Sequence, residues 1–561
     1  MKYKFSLCFI LLVFLFSKCK PTEKISQPVS IMEPPKLMLV ISVDQMRYDF
    51  LERFQPYFKH GFRRLLAEGA VFSKAHHEHS LNGTSPGHAT IATGCYPTNH
   101  GIIENDFFNP RTGDIEYSVE DTAVQVIGVA HSGKLKGMSP AKLWKPTMGD
   151  RLKAKSPQSK VYGVAFKDRS SILLAGKKAD AAYWYDNISS RFVSSDWYGK
   201  AYPEWAKTLV GKEMMKTEIE TGWQKKMPES DYSVSREDDF EREMGQFIPT
   251  FPHTRERMGP GIPSSWRNTL MLWNTPFGDA FAIEFAKALI ENEGLGMDAH
   301  PDLLLLSCST ADAVGHHFGP YSQEVQDYYM HLDDYLGGLF DFLDQKVGAA
   351  NYAVALSSDH GSARMPEDLA RQGLDAKRIS QTQFEADMDA VEKQLQTELK
   401  LTQPLFYFYS PQGLSLNYLE TREKGINDTR LRKKVAAALK SIDYIVETYI
   451  AEELQKGIKA KKSYQSWFQR SYHLERGNEI KMLFKKFYLV AYKENGTTHG
   501  TPYEYDSNVP LVLMGKPFPK GNYPQPVATV DIAPTILKAL GIKRLRGMDG
   551  KVIQMHLLSQ K

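Results

Sequence analysis

Three apolar runs along the chain each end on polar residues. KLMLVISVDQM runs into Asp44, PDLLLLSCSTAD delivers Asp312, and NYAVALSSDHG delivers Asp359 and His360. Short unbroken apolar runs rich in β-branched residues fit strands buried on both faces. Between them the period changes to that of amphipathic helices, as in HGFRRLLAEGA and DYYMHLDDYLGGLFDFLDQKV. The alternation predicts an α/β fold, a mainly parallel central sheet flanked by helices, with polar residues gathered at the carboxyl ends of its strands, where ligands bind in such sheets.

Core patterning of this kind covers residues 37–174, 301–361 and 487–561. The stretch 175–300 is rich in Trp, Tyr, Pro and charge without a strand–helix rhythm, and reads as an insertion capping the core. A second insertion, 362–486, carries charged helical patterns such as DMDAVEKQLQTELK, expected to pack beside the core with their charges solvated. In the last segment VPLVLMG predicts a strand, and a helix is expected to begin near Asp531 and Pro534, with Asp531 as a helix-start residue.

At the N-terminus, Lys2 and Lys4 precede an apolar run from Phe5 to Phe16, too short to span a membrane as an ordinary helix. Residues 1–19 therefore read as an export signal and the polar, Pro-rich 20–36 as a linker, with Cys19 a candidate lipid anchor. The expected location is the periplasm, or the outer membrane as a lipoprotein. The charge balance excludes a nucleic-acid partner: the chain carries +4, and losing Lys2, Lys4 and Lys18 leaves +1. Cys95 and Cys308 are too few and too far apart to define a disulfide framework. With 561 residues and 42% hydrophobic content, the chain can bury a large core.

The candidate chemistry lies at the strand ends. Asp44, Asp312, Asp359, His316, His360 and His499 offer carboxylate oxygen and imidazole nitrogen, a donor set for two borderline divalent cations, and a hydroxyl beside one of them would become a nucleophile. That hydroxyl is sought in NGTSPGHATIATG, where Thr84 and Ser85 precede Pro86 and a helical run. Judged locally, an ordinary helix cap is the better reading of Thr84 by roughly three to one. Asp312 and His316, four apart, share a helix face, with His317 as the rival ligand. Adjacent Asp359 and His360 can both reach a site only where the strand gives way to a turn, and Gly361 supplies that freedom. His499 sits among small, turn-forming residues, while His76, His77, His79 and His100 leave the set ambiguous by count alone. His88, four residues past Thr84, either orients the site or packs.

The motifs VDQMRYDF, NGTSPGHATIATGCYPTNHGIIEN, AFKDRS, STADAVGHHFGP, SSDHG, THGTP and VDIAPTIL resemble the alkaline phosphatase superfamily, specifically its threonine-nucleophile, phosphate-irrepressible alkaline phosphatases, and run in that family's order from Val43 to Leu537. The resemblance implies two Zn²⁺ ions, one held by Asp312, His316 and His499 and the other by Asp44, Asp359 and His360 beside Thr84. Thr84 would then be both a metal ligand and the nucleophile that carries a phosphothreonine intermediate. It further implies that Asn105, Lys167 and Arg169 bind phosphoryl oxygens, where the local alternative is a surface pair flanking Asp168. Related diesterases lack the Lys-x-Arg pair. The expected activity is hydrolysis of a broad range of small phosphate monoesters by a monomeric chain. The alternatives are a nucleotide pyrophosphatase/phosphodiesterase on the same scaffold and a non-catalytic surface protein that binds phosphoesters. A sulfatase is disfavoured because Cys95 lies outside the required motif context.

Overall fold

Strand Leu37–Val43 shows how the sheet is built, because all seven of its side chains are buried and successive ones enter opposite cores. Leu37, Leu39, Ile41 and Val43 join one apolar cluster, with side chains of the helices Phe277–Glu293 and Gln323–Leu343. Met38 and Val40 join the other, with Ala89, Ile91 and Ala92 of helix Thr84–Thr93 and the apolar face of Ile532–Ala539. A strand covered by helices on both faces has no polar side, which is why its sequence reads as continuous and not alternating. Each fully buried Leu or Ile contributes about 1.5–3 kcal/mol of transfer free energy to holding these layers together.

The computed structural model describes residues 33–243, 247–456, 463–542 and 547–555. The expected export signal, Cys19 and most of the linker lie outside them. A compact unit begins at Pro34. Among the described residues no helix is long and apolar enough to cross a membrane, and Cys95 and Cys308 are separate, buried free thiols.

Among the described residues the central sheet has eleven strands. Its middle is parallel, in the spatial order Tyr352–Ser357, Leu37–Val43, Asp302–Cys308, Val161–Ala165 and Ala181–Asp186. Asn508–Gly515 and then Ala70–His76 extend one side antiparallel, and Arg191–Ser195 and then Val126–Ile127 extend the other side the same way. The ends are level: Ser42 pairs with both Ser357 and Ser307, and Ala165 pairs with Ser307. The residues that follow these strands therefore emerge together on one edge. This is the mainly parallel α/β architecture expected from the sequence.

The stretch read as a cap, 175–300, opens with two strands of this sheet and ends with the helix Phe277–Glu293 packed against it. AAYWYD carries no alternation because all six residues are buried; its aromatic rings pack in the core, Tyr185 stacking on Phe166 at 4.3 Å. Residues 362–486 build their own antiparallel sheet, ordered Phe406–Ser410, Gly413–Leu416, Ile480–Phe484 and Ile445–Ile450, over an apolar cluster shared with the helices Gln381–Leu399 and Asp428–Leu439. Asp531 stands directly before the helix Ile532–Ala539 as expected, but its side chain does not cap that helix; its carboxylate accepts from the Ala528 and Lys551 amides at 3.2 and 2.7 Å.

Candidate active site

Asp44 follows strand Leu37–Val43 directly, and Gln45 turns the chain away in the left-handed region at φ 66°. Asp312 and His316 lie on the helix Thr310–Phe318 that leaves strand Asp302–Cys308, and Asp359 and His360 follow Tyr352–Ser357. His499 arrives on the loop that leads into Asn508–Gly515. The fold brings all six together. His316 Nε2 is 3.2 Å and His499 Nε2 3.7 Å from Asp312 Oδ1, while His360 Nε2 is 3.4 Å from Asp44 Oδ1 and 3.3 Å from Asp359 Oδ2. Two groups gather candidate ligand atoms within 4.8 Å of one another, Asp312/His316/His499 and Asp44/Asp312/His360. Asp312 thus sits at the seam of the two.

Each imidazole is aimed by a backbone carbonyl. Nδ1 of His316, His360 and His499 lies 2.7, 2.9 and 2.7 Å from the carbonyls of Thr497, Gly361 and Asn82. A carbonyl only accepts, so Nδ1 carries the proton and the Nε2 lone pair faces the carboxylates, the tautomer a metal ligand needs. Asp44 Oδ1, Asp359 Oδ2 and His360 Nε2 are buried without a hydrogen-bond partner. Three acceptors left bare at one point fit a cation, and the mixed O/N donor set fits zinc.

The ammonium of Lys167 stands between Asp44 and Asp312, 2.6 Å from an oxygen of each and 3.5 Å from Thr84 Oγ1. Burial drives the Asp359 carboxyl up to about 6. Burial and the Asp359 charge likewise raise Asp44. Asp312 is also buried, yet His316, Lys167 and His499 outweigh that and hold its carboxyl well below the usual range. Burial lowers the imidazoles of His360 and His499, favouring neutral, metal-binding rings. The pocket is a dense set of carboxylates that demands positive charge.

Thr84 is not a cap. Gly83 occupies that position without a side-chain bond, and Thr84 is the first residue of a ten-residue helix buried throughout. The Ser85 amide in the first turn donates to Asn105 Oδ1 at 2.8 Å, which fixes the Asn105 side chain beside the nucleophile candidate. Gly87 packs on the Asp359 backbone so closely that a Cβ there would overlap the Asp359 carbonyl oxygen. Lys167 and Arg169 straddle the start of helix Asp168–Ala175. Arg169 Nη1 lies 3.3 Å from the Tyr117 hydroxyl, which donates to Asp168 at 2.5 Å. Lys167 is buried, and so are 77, 79, 88 and 100 among the histidines. His77 is tied to Ser358 O and Thr529 Oγ1 at 2.8 and 2.9 Å, and His100 to Thr90 Oγ1 at 3.1 Å, so both are structural. His317 belongs to neither ligand group.

One positioning residue, Gln45, escaped the sequence reading, and for His88 that reading left orienting and packing both open. Gln45 donates from its carboxamide to Asp312 at 2.7 Å and from its amide to Asp359 at 3.2 Å, linking the two ligand groups. The space for its side chain is left by Gly315, between Asp312 and His316, where a Cβ would collide with Gln45 Oε1. His88 donates from Nδ1 to the Thr84 carbonyl at 2.8 Å and lies 3.3 Å from Asp359 Oδ2.

Comparison with known proteins places this geometry. Residues 38–504 match the family described as type I phosphodiesterase / nucleotide pyrophosphatase. The chain is 33% identical over 539 residues to alkaline phosphatase PafA of Elizabethkingia meningoseptica, covering 94% of this chain and 95% of the relative. It is 30% identical over 561 residues to alkaline phosphatase PhoV of Synechococcus elongatus, covering 98% of each. The crystal structure of wild-type PafA superposes with a TM-score of 0.84 at 31% identity, over 93% of this chain and 98% of that one. A PafA variant with a threonine, an asparagine, a lysine and an arginine replaced superposes equally, at 29% identity and the same coverage.

Proposed function

The chain belongs to the type I phosphodiesterase / nucleotide pyrophosphatase family and is an alkaline phosphatase, and from that premise we propose that it is exported, uses two zinc ions, and hydrolyses phosphate monoesters through a phosphothreonine formed on Thr84. The observation that carries the reading is the convergence of Asp312/His316/His499 and Asp44/Asp359/His360 around the start of the helix that Thr84 opens. When bound by these two sets, zinc supplies Lewis acidity to the attacking and leaving oxygens.

Thr84 Oγ1 forms a bond to phosphorus while the ester P–O bond breaks, and the alcohol leaves with a proton from solvent. Water then attacks the same phosphorus, the Thr84–phosphorus bond breaks, and inorganic phosphate departs with the hydroxyl restored. The positive end of the Thr84 helix dipole favours an anion at its start. Lys167 brings its charge to 3.5 Å from the atom to be phosphorylated, and the Tyr117 hydroxyl accepts from the half-buried Arg169 guanidinium while Asp168 accepts from the Arg169 backbone amide. Two cations and the Asn105 amide match the three charged oxygens of a monoester; a diester masks one of them. The residues replaced in the PafA variant support these roles, since their spacings of 21, 62 and 2 residues are those of Thr84, Asn105, Lys167 and Arg169.

The test is the ratio of kcat/KM for an aryl phosphate monoester to that for its methyl diester on zinc-loaded protein. A strong monoester preference that Lys167→Ala or Arg169→Ala weakens is the expected result. A diester preference would overturn the substrate assignment while leaving the Thr84 chemistry standing.

A further inference from the structure

A cavity of about 570 Å³ opens beside the site, and its two ends differ in origin. At the inner end it is lined by Asn105, His316 and His499, but not by Asp44, Asp359, His360, Lys167 or Arg169. It therefore touches one ligand set only. In-line displacement puts the leaving oxygen opposite Thr84, on the side of the Asp312/His316/His499 set in the reading above, so the alcohol of a bound ester extends into this cavity.

Much of the outer wall comes from the second insertion. Its Phe408 and Phe484, both partly exposed, face the space along with Met482, and Tyr492, just beyond the insertion and also partly exposed, joins them. Phe408 is backed by Phe108, stacked flat at 5.3 Å with 2° between the rings, so the ring is held against its neighbour. Burial, with the Asp312 charge adding to it, pushes the Tyr492 phenol up to about 12. Two carboxylates also line the space: Glu104, partly buried and paired with Lys481 at 3.1 Å, and the exposed Asp106, so the wall disfavours an anionic alcohol. A space of this size lined by rings and a few polar groups suits a flat organic group, whereas a methyl or glyceryl alcohol would leave most of it unfilled.

We propose that this cavity is an alcohol-side subsite, furnished in large part by the second insertion, that takes a flat aromatic or heteroaromatic group. Nucleoside monophosphates and aryl phosphates are then preferred to small aliphatic monoesters. The proposal rests on the monoesterase reading above.

The experiment compares adenosine 5′-monophosphate, phenyl phosphate and methyl phosphate on the zinc-loaded full-length enzyme and on its Tyr492→Ala, Phe408→Ala and Ser410→Trp variants, the last filling the cavity from its rim. Calorimetric binding of phenylphosphonate against methylphosphonate gives a readout independent of turnover. Each variant is expected to lower kcat/KM for the ring-bearing esters about tenfold more than for methyl phosphate, and to weaken phenylphosphonate selectively; Tyr492→Phe should retain the preference. A loss confined to one ring-bearing ester sustains the proposal and names the alcohol. Parallel losses on all three esters, or no loss on any, would overturn it. Wild-type protein that binds phenylphosphonate over methylphosphonate but turns over no ester would instead remove the monoesterase reading and leave the subsite.

Discussion

Among the described residues two clusters of three carboxylates invite comparison, one at the sheet edge and one under the first insertion, where Asp238 is partly exposed. At the edge, Asp44, Asp312 and Asp359 face Lys167 and three imidazoles. Under the insertion, Asp238, Glu243 and Glu324 meet Lys225, Arg236 and His253, with Lys225 3.0 Å from Asp238 and His253 3.0 Å from Glu324. Both hold buried oxygens without partners, and burial raises carboxyls in both. The difference is convergence. Among the described residues only the edge cluster brings three ligand atoms within 4.8 Å of one another, and His253 is ringed by Trp223, Phe251 and Phe318 with no room for a substrate. A perturbed carboxyl marks burial in both places, and the aim of the lone pairs separates a metal centre from a structural one.

The contrast can be broken in four ways, in descending order of effect. Thr84→Ala should lower kcat for monoesters by at least about 10³-fold, with phosphate binding retained by calorimetry, because it removes the atom that forms the new bond. Asp312→Asn should deplete bound zinc and cut kcat/KM by about 10²-fold or more, since Asp312 borders both ligand groups, whereas Glu324→Gln should leave the zinc content at that of wild type by elemental analysis. If both substitutions deplete metal, the distinction drawn between the clusters fails. Gln45→Leu, which unties Asp312 from Asp359, should cost about 10- to 100-fold in activity or zinc affinity while the melting temperature stays within a few degrees.

The smallest effect concerns pH. Burial raises Asp238 to about 6 and also raises Glu243 and Glu324, whereas unfolded carboxyls titrate near about 4. A folded pKa above the unfolded one means that folding takes up protons. The stability these groups contribute is therefore complete below pH ~4 and declines as the pH rises through about 6 and above. Glu324→Gln should flatten the fall of the melting temperature between pH 5.5 and 8.5 by about 1–3 °C relative to wild type; an unchanged slope would show that the cluster is not proton-linked.

The edge cluster was legible because each ligand follows an apolar run or stands in a compact motif. Asp44 and the Asp359–His360 pair were placed by the strands before them, and the neighbourhood of Thr84 by the helix after it. The insertion's cluster had no such signal: Asp238 and Glu243 lie in a stretch without a strand–helix rhythm and Glu324 in the helix Gln323–Leu343, and only packing reveals that Glu243 and Glu324 are buried. Gln45 was hidden because its role depends on the space at Gly315, far away in the chain. The strands Ala181–Asp186 and Arg191–Ser195 were missed because aromatic side chains buried on both faces erase the alternation that announces a strand.

Gly87 works as a gauge block. With backbone resting directly on the Asp359 carbonyl, the stand-off between the nucleophile's helix and the strand end that carries Asp359 and His360 is machined by main-chain atoms, whose dimensions no neighbouring mutation can alter. Side chains in the surrounding core can be exchanged without resetting that clearance, and the tolerance of the reaction centre is decoupled from the drift of the sequence around it.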